Sequence, residues 1–328
     1  MTGRDLHSIA IVGAGAMGVM YAAHLADAGY DVAFVATGDR AQRLARDGIR
    51  VNGEHRSFPV VDPSVRRPAD PAATSGIRPP TPVDLLIMAV KADQLAASIE
   101  LVAALMADHT TILSVLNGLD SEEALAARYE REQVILSMAA GMETARVDGE
   151  VRFRRVGRFS VGVDPRLPRD AQTRQRQRLD ALTAVFDQAG LAWQEPADIR
   201  HAMWWKFMVN VGVNLASAVT RAPYGAFKVD GPARSLSRAL MHEVIAVARP
   251  EGITLGDDDL DQWDAVLAGQ PDDGWTSTLQ DVAAGRPTEV EMFAGRVVAL
   301  GERHGIPTPF NQAVLWILRD YADRRLEQ

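Results

Sequence analysis

One junction constrains this chain more than any other. The run Ser8–Val12, SIAIV, passes without a spacer into Gly13-Ala14-Gly15-Ala16-Met17-Gly18, and then into VMYAAHLADA. A β-branched apolar run, glycines spaced G-x-G-x-x-G and a helical apolar period predict strand, tight turn and helix. Gly29 stands where a helix C-cap glycine belongs. Residues 31–36, DVAFVA, then read as a second strand. Together these form a βαβ unit, whose parallel strands require helices on the faces of the sheet.

The pattern continues through the first half. Residues 40–46 read as helix, and 49–51 and 58–61 as short strands. The span 62–82, rich in Pro, Ala and Ser, reads as an irregular connection. Residues 83–90, VDLLIMAV, form a continuous apolar run, the mark of a strand buried on both faces. Helix is expected at 93–106 and 179–189, strand at 111–116, 133–138 and 192–194, and an antiparallel extension at 150–153 and 158–163. From about Pro196 only helical periods remain, at 198–219, 232–251, 257–268, 274–284, 287–304 and 309–325. Pro232, Gly252, Gly285-Arg286-Pro287 and Pro307-Thr308-Pro309 separate them. The expected fold is α/β: a Rossmann-type doubly wound sheet over 1–195, followed by an all-helical domain over 196–328.

The glycine run has a chemical reading as well as a structural one. Gly13 permits a tight turn, Gly15 lets the backbone approach a pyrophosphate, and Gly18 lets helix and strand pack closely. The backbone of Ala14, Ala16 and Met17 completes the loop, and the helix N-terminus offers free N–H groups to an anion. The alternative is a strand, turn and helix with no ligand; the βαβ setting favours the dinucleotide. A carboxylate at the end of the second strand would bind the ribose of NAD. Here the strand ends Val35-Ala36-Thr37-Gly38-Asp39-Arg40. Thr37 and Arg40, with Arg43 further off, suit a 2′-phosphate and favour NADP, although Asp39 also lies in this turn.

Lys91 follows the strand at 83–90, and Asn117-Gly118 follows the strand at 111–116. Ligands of open α/β sheets gather at the carboxyl ends of strands. Alone, Lys91 reads as a helix-start residue and Asn117-Gly118 as a turn pair; beside a glycine loop both become site candidates. In the second half, MWWKFMVNVGVNLAS at 203–217 is nearly all apolar except for Lys206, Asn210 and Asn214. Their spacing of four places them on one helix face, and burying them requires polar partners. Thr276, Ser277, Thr288, Glu289 and Glu291 read most simply as helix-start residues.

Composition removes several classes of function. A net charge of −8 with no long basic stripe argues against nucleic acid. The Arg-rich run 166–178 is interspersed with Asp, Gln and Pro and reads as solvated loop and helix face. With no cysteine there is no disulfide, thiolate catalysis or Cys-based metal site, and none of the seven His falls in a spaced ligand cluster. No window of about 20 residues is apolar throughout, so no membrane span is expected. With no secretory signal at the N-terminus, a cytoplasmic protein is expected.

Five ordered blocks then carry a resemblance: IAIVGAGAMG, VKADQ around Lys91, LNGLDSEEAL around Asn117, WWKFMVNVGVN around Lys206, and STLQDVAAGRPTEVEMFAG around Ser277 and Glu289. The chain resembles the ketopantoate reductase (2-dehydropantoate 2-reductase) family along nearly its full length. The resemblance implies an active site between a nucleotide domain and a helical domain, and hydride transfer from NADPH to a 2-oxo acid. It implies that Lys206 is the general acid and that Asn117, Asn210, Asn214, Ser277 and Glu289 line the substrate site. Lys91 would lie near cofactor and substrate. The chain departs from the family at Thr37, where Arg is frequent, and at Glu291 and Ala294, where Asp and Asn are common.

The chemistry is coherent without the resemblance. Hydride delivered to a ketone leaves an alkoxide, which a Lys ammonium can stabilise and protonate. Asn and Ser can bind a carboxylate or hydroxyl without acting as acids, and Glu289 can orient Lys206. The leading expectation is reduction of 2-dehydropantoate to pantoate, in pantothenate biosynthesis. One alternative is reduction of another branched or hydroxylated 2-oxo acid. The other is an NADPH-binding sensor without turnover, which would need none of Lys206, Asn210 and Glu289. No metal is required, and the apolar helices of the second half suit a homodimer interface.

Overall fold

The structure, a computed structural model, describes residues 6–65 and 76–326. Part of the connection expected at 62–82, namely 66–75, lies outside the described residues. The chain divides into two compact units, Met1–Leu116 with Asp120–Ile199, and Asn117–Leu119 with Arg200–Gln328.

The first unit holds the strands β1 (Ser8–Val12), β2 (Asp31–Val35), β3 (Ile49–Val51), β4 (Glu54–Arg56), β5 (Val60–Val61), β6 (Ile77–Arg78) and β7 (Leu85–Met88). They are followed by β8 (Thr111–Ser114), β9 (Val134–Ala140), β10 (Glu143–Val147), β11 (Glu150–Arg155), β12 (Arg158–Gly162) and β13 (Ala192–Gln194). Among the described residues the main sheet runs β13-β12-β9-β8-β7-β1-β2-β5-β6. The segment from β9 to β5 is parallel throughout and has the doubly wound strand order. Its switch point lies between β1 and β7.

The continuous apolar runs follow from burial on both faces. Ile9 and Ile11 of β1, with Leu85 and Ile87 of β7, feed one apolar cluster; Ala10 and Val12, with Leu86 and Met88, feed another. Successive strand side chains point to opposite faces, so each face is packed and neither strand can alternate with polar residues.

The helices of this unit are α1 (Ala16–Asp27), α2 (Gly38–Asp47), α3 (Leu95–Leu101), α4 (Ser121–Ala126) and α5 (Arg169–Gln188). The antiparallel extension expected at 150–153 and 158–163 divides between two sheets: β12 pairs antiparallel with β9 in the main sheet, whereas β11 pairs antiparallel with β10 and joins β3 and β4 in a separate four-stranded sheet. One expectation is corrected here. The helix expected at 179 begins at Arg169, because the Arg-rich run is helical and its charges are matched. Arg166 pairs with Asp164 and Glu123, Arg174 with Glu132 and Asp170, and Arg176 with Glu195, while Arg178 donates to the carbonyls of Asp108, His109 and Thr110.

The second unit is helical: α6 (Ile199–Val209), α7 (Leu215–Thr220), α8 (Gly225–Lys228), α9 (Pro232–Ala248), α10 (Asp257–Ala268), α11 (Ser277–Ala283), α12 (Arg296–His304) and α13 (Pro309–Leu326). Proline opens α9 and α13 at the position where its missing N–H costs least, and Gly305, at φ +67°, closes α12. The long helix expected at 198–219 is broken by a π-turn at Asn210–Asn214, and the one expected at 287–304 carries a π-turn at Glu291–Gly295. Phe207 and Phe293, both fully buried, meet with ring centroids 6.3 Å apart. Truncating either to Ala removes about 3–5 kcal/mol. Among the described residues no helix is long and apolar enough to cross a membrane.

Candidate functional site

The first unit places the glycine loop at the switch point. Val12 is in register with Val35 of β2 on one side and Met88 of β7 on the other, so the carboxyl ends of three strands converge there. Gly13 has φ +109°, and a Cβ on it would collide with the Ala89 carbonyl after β7. A Cβ on Gly18 would collide with the Gly13 carbonyl. These two glycines are needed by the fold itself. Gly15 differs: a Cβ there meets nothing within 4 Å. It is the N-cap of α1, no side chain caps the helix, and no acid stands in the first turn. An uncapped helix start beside open space fits a pyrophosphate.

Thr37, at the end of β2, is the N-cap of α2, and its side chain makes no capping bond. Arg40 is exposed on the first turn of α2, where Asp39 also lies exposed. Among the described residues no carboxylate forms an ion pair with Arg40. A residue missed by sequence reasoning is Asp62, which is buried just past β5. Its carboxylate accepts from the Gly38 N–H at 3.2 Å and from Ser64 N and Oγ at 2.9 and 2.6 Å. An acid thus reaches the turn after β2, but its oxygens are committed to holding that turn. Lys91 is exposed, just beyond β7 at the start of a 3₁₀ turn.

The second unit gathers the other candidates. Lys206, in the last turn of α6, donates from Nζ to Asn117 Oδ1 at 3.0 Å. Asn117 Nδ2 donates to Glu289 Oε2 at 3.1 Å. The Asn117 amide therefore stands between ammonium and carboxylate, with its acceptor toward the cation and its donors toward the anion. Its backbone is held nearby: Ser114 Oγ donates to Ser121 Oγ at 2.8 Å, tying the two ends of the segment that carries it. Gly118, at φ +87°, turns the chain tightly against Met292.

Asn214, buried in the π-turn, directs Nδ2 toward Asn210 Oδ1 and Ser277 Oγ, each at 3.4 Å. The polar face expected from the four-residue spacing is present, but it lies on a widened turn rather than a regular helix. Such turns leave the regular i→i−4 bonding pattern and recur at functional sites. Neither π-turn was visible in the apolar period, which they barely disturb.

The helix-start readings divide. Thr276 is the N-cap of α11, accepting from Leu279 N at 3.2 Å. Ser277, one residue on, faces Asn214 instead. Glu289 lies just before the helical turn and reaches Asn117. Glu291 turns to Arg319, with paired contacts of 2.6 and 2.7 Å. The hydrogen bond from Arg319 holds its carboxyl below the usual range. Ala294 is fully buried. Among the described residues no group of His, Cys, Asp and Glu is arranged to hold a metal.

Comparison with known proteins finds matches over most of the chain. The family model "Ketopantoate reductase PanE/ApbA" matches residues 9–166, and "Ketopantoate reductase PanE/ApbA C terminal" matches 198–322. The 2-dehydropantoate 2-reductase of Mesorhizobium japonicum is 29% identical, with 97% of this chain and 98% of that protein covered. The enzyme of the same name from Mycobacterium tuberculosis is 30% identical, covering 96% and 98%. Among solved structures, 2-dehydropantoate 2-reductase from Geobacter metallireducens GS-15 aligns with a TM-score of 0.75 at 28% identity, covering 95% and 99%.

Proposed function

The chain belongs to the ketopantoate reductase family of oxidoreductases acting on CH–OH groups, and on that premise we propose that it reduces 2-dehydropantoate to pantoate with NADPH, a step of pantothenate biosynthesis. The observation that carries this reading is the chain Lys206–Asn117–Glu289, a cation and an anion joined through one amide. Bound NADPH supplies the hydride. Every other role falls to residues of this chain.

Lys206 stabilises the alkoxide as it forms at the former ketone oxygen and delivers a proton from Nζ. Asn117 fixes the ammonium through Oδ1, so that the proton is presented in one direction. Glu289 holds Asn117 in that orientation and accepts from a substrate hydroxyl. Asn210, Asn214 and Ser277 offer neutral donors for the carboxylate. Gly15 and the start of α1 receive the pyrophosphate, with Ala14, Ala16 and Met17 as the backbone around it. Thr37 and Arg40 receive the 2′-phosphate, and Lys91 lies on the cofactor side.

A second reading keeps the reaction and changes the substrate to another branched or hydroxylated 2-oxo acid. It is favoured by Glu291 and Ala294, where side chains common in the family are replaced. A panel of 2-oxo acids, each assayed with NADPH by loss of absorbance, tests both. Highest kcat/KM on 2-dehydropantoate supports the first reading, and a clear preference for another acid supports the second. No turnover on any acid, with NADPH bound, would contradict both and leave a cofactor sensor. The proposed setting is the cytoplasm, and the proposed assembly is a homodimer.

A further inference from the structure

On the reading that the glycine loop binds a dinucleotide, we propose that Arg146 is a further cofactor-binding residue, contacting the pyrophosphate. Arg146 lies on β10, which pairs with β11 through the tight turn Val147-Asp148-Gly149-Glu150. Asp148 and Gly149 have φ of +50° and +82°. Two consecutive left-handed residues of the type Asp-Gly make a short, stiff hairpin turn. Thr144 and Arg146 are two apart on the strand and share one face. That face meets the start of α1: Thr144 Oγ1 lies 3.5 Å from the Ala16 carbonyl oxygen, and Arg146 Nη1 donates to the Ala14 carbonyl at 2.8 Å.

This placement is electrostatically unfavourable unless an anion is present. The N-terminus of a helix carries partial positive charge and disfavours a nearby cation. Arg146 is exposed, and among the described residues no carboxylate forms an ion pair with it. Among the described residues its bond to the Ala14 carbonyl engages one of the guanidinium's five N–H donors and leaves the others for a ligand. The N-cap at Gly15 is uncapped and faces open space. A cation anchored by a loop carbonyl, free helix N–H groups and room for a ligand together suit a group with two negative charges and several acceptor oxygens. A pyrophosphate supplies both, and guanidinium binds phosphate oxygens in paired, charge-assisted bonds.

The position separates Arg146 from Arg40. Arg146 touches the loop after β1, where the pyrophosphate of any nicotinamide dinucleotide would lie. Arg40 stands after β2, where only the 2′-phosphate of NADP would reach. Arg146 therefore contributes equally to NADPH and NADH, whereas Arg40 distinguishes them.

The test measures dissociation constants of NADPH and NADH by calorimetry for wild type, Arg146→Ala and Arg146→Gln, with melting temperature as a check on folding. Gln keeps a polar donor at this position of the strand but carries no charge. The expected result is a loss of about tenfold for both cofactors in both variants, the scale of one hydrogen bond to a charged group, with melting unchanged. Full affinity in the Gln variant would mean that the charge of Arg146 plays no part in binding, and would overturn the proposal. So would loss confined to NADPH, or unchanged affinity. If wild type binds neither cofactor, the reading of the glycine loop fails and the proposal with it.

Discussion

Lys206 and Asn117 are 89 residues apart in sequence and joined by a 3.0 Å hydrogen bond from ammonium to amide oxygen. The amide nitrogen of Asn117 is committed in turn to Glu289, so the orientation of one side chain is fixed from both ends. Asn117→Ala removes both bonds at once. Turnover is expected to fall by about 10–100-fold, the scale of one charge-assisted hydrogen bond. NADPH should bind with no more than a modest change. Steady-state kinetics with a separate binding measurement checks this; unchanged kcat would mean that the lysine is positioned by something else.

Gly15 can be tested without disturbing the fold. It has φ −80° and open space where a Cβ would stand. Gly15→Ala should therefore fold normally. Gly15→Asp should also fold but bind no NADPH by calorimetry, because its carboxylate opposes the pyrophosphate in space and in charge. Near wild-type affinity in the Asp variant would make the loop purely structural.

Arg40→Ala is expected to weaken NADPH by about tenfold or more, the scale of a hydrogen bond to a charged group, and to leave NADH almost unchanged. Equal losses for both cofactors would remove Arg40 from the 2′-phosphate.

Asp164 gives a stability prediction with a defined sign. It is fully buried, and burial alone would raise its pKa. Hydrogen bonds from the Arg166 side chain and backbone, and from Arg131, outweigh that and hold it below the ordinary carboxylate range. A depressed pKa in the fold contributes stability above the unfolded value, about 3.9, and this is lost as pH falls through the folded value. Asp164→Asn should therefore cost about 2 kcal/mol at pH 7. Its melting temperature should converge on wild type as pH drops below about 4. A deficit of constant size across that range would mean that packing, not charge, is responsible.

Much of this was legible in the sequence because it depends on local rules. The glycine run announces a turn that only glycine can make at Gly13 and a close approach that only glycine allows at Gly18, and the apolar runs of β1 and β7 announce burial on two faces. Lys206, Asn210 and Asn214 stood out as polar residues in an apolar helix. What stayed hidden depends on distant partners. The two π-turns add a backbone register shift without altering composition. Asp62 follows two valines and reveals its role only when β5 lies beside β2. Arg146 is one arginine among several between 146 and 158, and only the hairpin brings it to the Ala14 carbonyl. The division of 150–163 between two sheets has the same origin, since a strand's partner is set by the sheet rather than by its own residues.

Glu289 is joined to Lys206 through the Asn117 amide. Glu289→Ala should be strongly impaired, and the double variant with Lys206→Ala should be far less than additive, as expected of groups that work together. Fully additive losses in the double-mutant cycle would separate the two.

The most direct measurement is the steady-state rate of Lys206→Ala with 2-dehydropantoate and NADPH, paired with its NADPH dissociation constant. If Lys206 is the proton donor, kcat falls by about 10²–10⁴-fold while NADPH affinity stays near wild type. If the lysine merely carries its charge to water from the end of an apolar helix, turnover stays near normal, and that result would contradict the mechanism.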